Sequence, residues 1–358
     1  MRNKPAVLMF GPAKTATSGI SSVVNNWLGA GLEKNISLEY IATLDDYVPG
    51  EYIKKSLNAL RAYRVFWVKC KAPVDLVHIH LSSGMSFYRK LIIFWFAKRR
   101  NIKVAVHLHG SVFKEFYEDG SRFQQRLVSW LFDQSDGIFV LSRHWKSFIE
   151  KISSNKQIYI INNGASVKLV GKKSTDPDKI VIAFMGRLGL RKGTYDLLEA
   201  FQMLSADIPE ARLVLGGDGD INRVRSLVEE KGLSSQVEVL GWVSGDEKTD
   251  VFRRADIYAL PSYNEGLPGS ILEAMAASTP IVSTPVGGIP EAVIESQNGY
   301  LIEPGNVNAL YLRLVELCQD KELRLLMGKE SRRLIEQTFN LEKIIIDLQN
   351  AYKEILSK

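Results

Sequence analysis

The sequence predicts two α/β domains, each built on a doubly wound parallel sheet. Three observations carry this. Short continuous apolar runs recur along the chain, as in strands covered on both faces. Longer amphipathic segments alternate with them, as strands and helices do in such domains. A polar stretch from Lys168 to Lys179, following Asn162-Asn163-Gly164, divides the chain into two halves of the same pattern. A length of 358 residues suits two domains of roughly 150 residues each.

The first domain is expected over 1–165. Its strands are read at Val7–Phe10, Leu76–His80, Val104–Leu108, Gly137–Leu141 and Ile158–Ile161. The second is expected over 166–340, with strands at Ile180–Phe184, Arg212–Leu215, Val237–Leu240, Ile257–Ala259 and Ile281–Ser283. Thr194–Leu204, Asn222–Lys231 and Leu267–Ala277 carry helical spacing. The last segment, 341–358, sets Leu341, Ile344, Ile345, Leu348, Tyr352 and Ile355 on one helical face, able to pack on either domain. Ligands of open α/β sheets bind beyond the carboxyl ends of the strands, so the residues just after each strand are the candidates.

Composition narrows the class. A hydrophobic share of 46% and a charged share of 24% exclude disordered and fibrous chains. Cys70 and Cys318 are the two cysteines, which excludes a disulfide framework and points to a reducing compartment. The longest apolar run, Leu91 to Ala97, is far short of the ~20 residues that span a bilayer. Pro5 to Phe10 meets Gly11 at once and reads as a strand rather than a signal peptide. The expectation is a soluble cytoplasmic protein. Residues 1–164 have a balance of +11 and residues 165–358 one of −5. The basic half should favour an anionic surface.

The strongest motif is Glu265-Gly-Leu-Pro-Gly-Ser-Ile-Leu-Glu273, just after a strand. Gly266, Pro268 and Gly269 make a tight loop, and Pro268 suits the first helical position. Backbone N–H groups at that helix start form an anion site, which puts the Leu267-Pro268 turn at the diphosphate. Glu265 and Glu273 beside it suit a ligand with both phosphates and hydroxyls. A second motif, Met185-Gly-Arg-Leu-Gly-Leu-Arg-Lys-Gly-Thr194, ends another strand. There Arg187 and Lys192 match a diphosphate through charge-assisted bonds. It is not a P-loop, because the Gly-Lys-Ser/Thr order is broken. Gly216-Gly217-Asp218-Gly219-Asp220 is a strand-to-helix turn near a nucleotide, or a carboxylate pair for a divalent cation. Gly217, with Gly241, Trp242 and Val243 after the next strand, forms the expected nucleobase region.

These elements resemble glycosyltransferase family 4, the retaining nucleotide-sugar transferases of the GT-B fold. The resemblance spans nearly the whole chain and is densest from Ile180 to about Tyr300. It implies two Rossmann-like domains facing a central cleft, an acceptor-binding first domain and a donor-binding second. It implies that Glu265 contacts the donor sugar hydroxyls and Glu273 the ribose, and that Arg187 and Lys192 clamp the diphosphate. A glycine loop after the first strand is carried by Thr17-Ser18-Gly19-Ile20, which places Gly19 at the diphosphate. A histidine on the transferred sugar is matched by His109, so Glu265 and His109 are the catalytic candidates. The final helix is expected to cross back to the first domain.

Four of the five histidines form His78/His80 and His107/His109, each pair two apart on a strand and so on one face. That spacing admits a metal, but strand ends in a cleft account for His80 and His109, and His78 and His107 read as buried and satisfied. No metal and no cofactor are predicted. Phe87–Arg100 and Tyr52–Lys71 are helices mixing aromatic and basic residues. They cover the sheet, or dock on an anionic membrane carrying a lipid-linked acceptor. Nucleic acid is not expected as a partner, since no recognition motif appears. The reading is a retaining, metal-independent transferase, moving a sugar from a UDP- or GDP-sugar to a hydroxyl acceptor in surface polysaccharide synthesis. Its rivals are a nucleotide-sugar epimerase of the same fold, a non-catalytic sugar-nucleotide-binding subunit and, more distantly, a nicotinamide dehydrogenase.

Overall fold

The computed structural model describes residues 4–44, 52–69, 72–168 and 179–358. The chain forms two compact units, residues 1–163 with 341–358, and residues 164–340. Most of the polar stretch read as a linker lies outside the described residues, as does Cys70.

In the first unit β1 (Ala6–Pro12), α1 (Gly19–Gly29), β2 (Ser37–Leu44), α2 (Tyr52–Lys69), β3 (Leu76–Leu81) and α3 (Met85–Arg99) come first. β4 (Lys103–Leu108), α4 (Phe113–Glu118), α5 (Arg122–Asp133), β5 (Gly137–Val140), α6 (Arg143–Ile152) and β6 (Ile158–Ile160) follow. The strands form one parallel sheet in the order β2-β1-β3-β4-β5-β6. Helices cover both faces, which is why the strands read as continuous apolar runs. Leu8, Phe10, Val77 and Ile79 pack on one face with Phe66, Phe87, Phe94 and Phe132. Val7, Met9, Leu76 and Phe139 pack on the other with Trp27. Each such large apolar side chain contributes roughly 1.5–3 kcal/mol when fully buried.

The second unit repeats the plan. β7 (Ile180–Met185), α7 (Thr194–Asp207), β8 (Ala211–Gly216), α8 (Ile221–Glu230), β9 (Val237–Gly241) and α9 (Gly245–Arg254) open it. Next are β10 (Ile257–Leu260), α10 (Gly269–Ala276), β11 (Ile281–Ser283), α11 (Ile289–Ala292), β12 (Gly299–Leu301), α12 (Val307–Gln319) and α13 (Lys321–Gln337). Its parallel sheet runs β12-β11-β10-β7-β8-β9. The last helix, α14 (Leu341–Ser357), belongs to the first unit. There Leu341, Ile344, Ile345, Leu348, Tyr352 and Ile355 join the Trp27 face of the core.

Two strands were not read from the sequence. Both β2 and β12 are sheet edges. β2 mixes polar and apolar residues, and β12 is three residues long. Pro268 is also displaced from its expected role: it caps the helix with extended ψ 121°, and α10 begins at Gly269.

Candidate active site

The second unit gathers its site on loops beyond β7, β8 and β10. The first two loops are zipped together by backbone bonds. Gly186 N–H donates to Gly216 O at 2.9 Å, Leu188 N–H to Asp218 O at 2.6 Å, and Asp220 N–H back to Leu188 O at 3.0 Å. Gly217 N–H donates to Gly241 O at 2.7 Å, tying in β9. This approach requires glycine. At Gly217 φ is +144°, and a Cβ would stand 1.8 Å from Gly186 O.

Within this frame Lys192 and Glu265 form a buried ion pair across 73 positions of sequence. Ser262 Oγ donates to the same carboxylate oxygen, Oε1, at 2.9 Å. Both side-chain bonds to Glu265 therefore end on Oε1, and among the described residues none is made to Oε2. The Glu265 backbone is fixed from behind: Gly288 N–H donates to Gly266 O at 2.6 Å. Glu273, one turn into α10, pairs with Lys248 at 2.7 Å through its own Oε1. Arg187 is exposed and pairs with Asp218 at 3.1 Å. Tyr258 lies buried beneath this surface, bonded through its hydroxyl to Met185 O at 3.0 Å. Burial raises its pKa, and the charges of Glu273 and Glu265 add to the rise.

The arrangement is electrically balanced without ligand. Arg187 and Lys192 face Asp218 and Glu265, so both cations already hold carboxylates. The N–H groups opening α10 supply further donors. Asp218 holds Arg187, and Asp220 accepts from the Tyr195 hydroxyl at 2.8 Å. Gly241 (φ +77°) and buried Val243 flank Trp242, which is 48% exposed. Ser262, Lys248 and Tyr258 were not foreseen, because their roles depend on partners remote in sequence or on side-chain direction.

Two candidates lie in the first unit. Gly19 opens α1 and is exposed, with nothing within 4 Å of a Cβ built there. His109 follows β4, and its Nε2 is 2.8 Å from His80 Nδ1. The histidine reading needs correction. His78, His80 and His107 are all fully buried. His78 Nδ1 meets the Tyr352 hydroxyl at 2.5 Å, but among the described residues its Nε2 and His80 Nε2 have no hydrogen-bond partner. His78 and His80 are each bonded through Nδ1 alone, and His80 is interior rather than open at a strand end. Register explains the cluster, since His80 stands directly opposite His107 across β3 and β4. Nitrogens of His78, His80 and His107 approach within 4.8 Å of one another. The rings are stacked at 22–28° and 4.5–5.6 Å. The set is packed as an aromatic layer against Trp27.

On the same unit, α2 and α3 present Trp67 (51% exposed) and Trp95 (42%). The Arg100 guanidinium lies 4.2 Å from the Trp67 ring centre and that of Arg99 4.4 Å from Trp95. Among the described residues no helix is long and apolar enough to cross a membrane.

Known proteins match both units. A family profile described as glycosyl transferases group 1 matches residues 168–334, and one described as glycosyltransferase family 4 matches residues 37–169. An uncharacterised glycosyltransferase of Methanocaldococcus jannaschii is 27% identical over 330 residues, 87% of this chain and 83% of that protein. The N-acetyl-alpha-D-glucosaminyl L-malate synthase of Bacillus anthracis is 26% identical over 295 residues, 79% of this chain and 75% of that protein. Among solved structures, sucrose-phosphate synthase from Thermosynechococcus elongatus superposes with a TM-score of 0.82 at 19% identity, over 99% of this chain and 100% of that one. Anabaena HepE, solved in complex with UDP-glucose, gives 0.76 at 18% identity over 99% and 100%. These two likenesses are of fold, the GT-B arrangement of two Rossmann-like units.

Proposed function

The chain belongs to glycosyltransferase family 4, and on that premise we propose that it transfers a sugar, with retention of configuration, from a nucleotide-sugar to a hydroxyl acceptor. The observation that carries this is Glu265. Lys192 and Ser262 hold its Oε1, at the loop that starts α10. A fixed carboxylate beside free N–H groups suits a ligand that joins hydroxyls to phosphates.

In this reading Glu265 and Gly266 meet the donor sugar, and Glu273 accepts from the ribose. Arg187, Lys192, Gly19 and the turn at Leu267 and Pro268, with the N–H groups that follow it, take the diphosphate. Gly217, Gly241, Trp242 and Val243 border the base, and His109 meets the transferred sugar. The bond from the anomeric carbon to the diphosphate breaks, and the bond to the acceptor oxygen forms on the same face. The acceptor proton passes to the departing phosphate oxygen. Cations and helix N–H groups aimed at that oxygen stabilise its developing charge, so no metal is assigned to the step. UDP is favoured as the donor nucleotide because fold neighbours were solved with UDP and UDP-glucose.

Thermal unfolding with UDP, GDP, ADP and NAD, each with and without EDTA, tests the reading. A ligand at about 100 times its Kd adds about 2.7 kcal/mol. A rise with one nucleoside diphosphate that survives EDTA supports it. Stabilisation by NAD alone, or by no nucleotide, overturns it. Consumption of donor without acceptor would instead indicate an epimerase. The acceptor is assigned to a saccharide, lipid-linked or part of a growing surface polysaccharide, reached from the cytoplasmic face of a membrane. The Trp67, Trp95, Arg99 and Arg100 surface supports that docking. Co-sedimentation with anionic but not neutral vesicles checks it, and no binding at low salt would remove it.

A further inference from the structure

Lys90 is a buried cation without an anionic partner. It stands on α3 between Phe87 and Phe94 and is 2% exposed. Its Nζ donates to Ser86 Oγ, one turn back, at 2.8 Å. Among the described residues no carboxylate pairs with it. Its neighbour Arg89 adds a second positive charge, with its Nε buried and unpartnered. A buried charge left without a counter-ion is costly, and the cost here is visible. Desolvation, with the Arg89 charge added, pulls the Lys90 pKa from 10.5 down to about 7.

The location is the carboxyl end of two adjacent strands. The turn from β3 into α3 is Ser82-Ser83-Gly84, and Gly84 caps the helix without any side-chain bond. His109 N–H donates to Leu81 O at 2.9 Å, and a Cβ on Gly110 would stand 3.3 Å from Ser83 N. The loop after β4 therefore lies directly against this turn. The charge of Lys90 reaches His109 and His80 and helps hold both neutral, after burial itself. Ser82, Ser83 and Ser86 are half-buried.

We propose that this turn binds a phosphate group carried by the acceptor. Lys90 supplies the buried charge, and the hydroxyls of Ser82, Ser83 and Ser86 supply donors beside neutral His109. The donor set favours phosphate over carboxylate: several separate hydroxyls and one ammonium suit a tetrahedral anion, whereas a planar carboxylate is met best by an arginine fork. That the phosphate belongs to an acceptor rests on the transferase reading above; the oxyanion site itself does not.

Hydrogen exchange read by segment tests it on the whole chain. The probes are glycerol 3-phosphate, vesicles of phosphatidylcholine with phosphatidic acid, and vesicles of phosphatidylcholine alone. A ligand at about ten times its Kd slows exchange roughly tenfold where opening releases it. Protection of residues 82–90 by glycerol 3-phosphate is the expected result and means that the site takes a soluble phosphate monoester. Protection by phosphatidate vesicles alone means that the phosphate is lipid-borne. Lys90→Met, which keeps the apolar stem, should lose the protection while UDP still protects residues 185–194; Lys90→Gln serves if the methionine variant does not fold. No protection of 82–90 by either phosphate probe, or protection undiminished in the Lys90 variant, overturns the proposal. Failure of UDP to protect 185–194 counts against the transferase reading alone.

Discussion

Lys192 and Glu265 form an ion pair inside the second unit, with their side chains 13% and 6% exposed. The pair joins the loop after β7 to the loop before α10 and engages one of the two carboxylate oxygens. It is at once a structural clasp and the centre of the candidate donor site.

Removing either partner should show both roles. Lys192→Ala leaves Glu265 buried with Ser262 as its one remaining partner. Breaking a buried pair from one side typically costs about 3–5 kcal/mol. At roughly 2–4 °C per kcal/mol for a unit of this size, the melting transition of the second unit should fall by about 10 °C. Donor affinity should weaken with it. Glu265→Gln keeps the shape and loses the charge, and should lower kcat on the order of 100-fold. Calorimetry and steady-state transfer assays read the two effects, and full activity in Glu265→Gln would count against the assignment.

Arg187 should behave differently. Its pair with Asp218 is exposed, and such pairs are worth about 0–1 kcal/mol. Arg187→Ala should therefore leave the melting temperature almost unchanged. It should weaken binding of a nucleoside diphosphate by about 1.5–3 kcal/mol, roughly ten- to more than a hundredfold in Kd. Titration calorimetry with UDP measures this directly. Unchanged affinity would remove Arg187 from the diphosphate site.

Gly287 has φ +58°, and a Cβ there would stand 2.0 Å from the backbone oxygen of Glu265. Gly287→Ala must push the Glu265 loop outward, so transfer should fall further than any loss of stability explains. A structure of the variant should show Glu265 displaced. An active variant with an unmoved loop would contradict this account of how the carboxylate is aimed.

Acid should attack the first unit before the second. All five histidines lie in it. Burial holds His78, His80 and His107 well below the ordinary 6.5, and His109 falls to about 3. These rings are neutral when folded and take up protons when unfolded below pH 6.5. The unfolded chain thus binds more protons in that window, so stability present above pH 6.5 is lost as pH falls toward 3. Each group adds a slope of up to about 1.4 kcal/mol per pH unit. Melting followed from pH 7.5 to 5.5, with hydrogen exchange to tell the units apart, should show the first unit weakening more steeply. His80→Phe should flatten that slope, and equal acid sensitivity in both units would refute the argument.

The sequence by itself determined the α/β class and pointed to the loops of the candidate site. Central parallel strands announce themselves as apolar runs because both faces are covered, as at Leu76–Leu81 and Ile257–Leu260. The Glu265–Glu273 segment and the Arg187–Lys192 loop are local patterns, legible because glycines and charges are spaced for one turn. The edge strands Ser37–Leu44 and Gly299–Leu301 escaped, since a partly exposed or very short edge lacks that signature. Tertiary structure alone decided which charges meet. Lys192 finds Glu265 at a separation of 73 residues and Lys248 finds Glu273 at 25. It also decided that three histidines share one buried layer with His109 beside it, and that Lys90, on a helix reading as apolar with basic ends, is sealed in with no carboxylate partner among the described residues. The reason is physical: periodicity and turn chemistry act over a few residues, whereas charge pairing and desolvation depend on distances that exist only after the sheet has assembled.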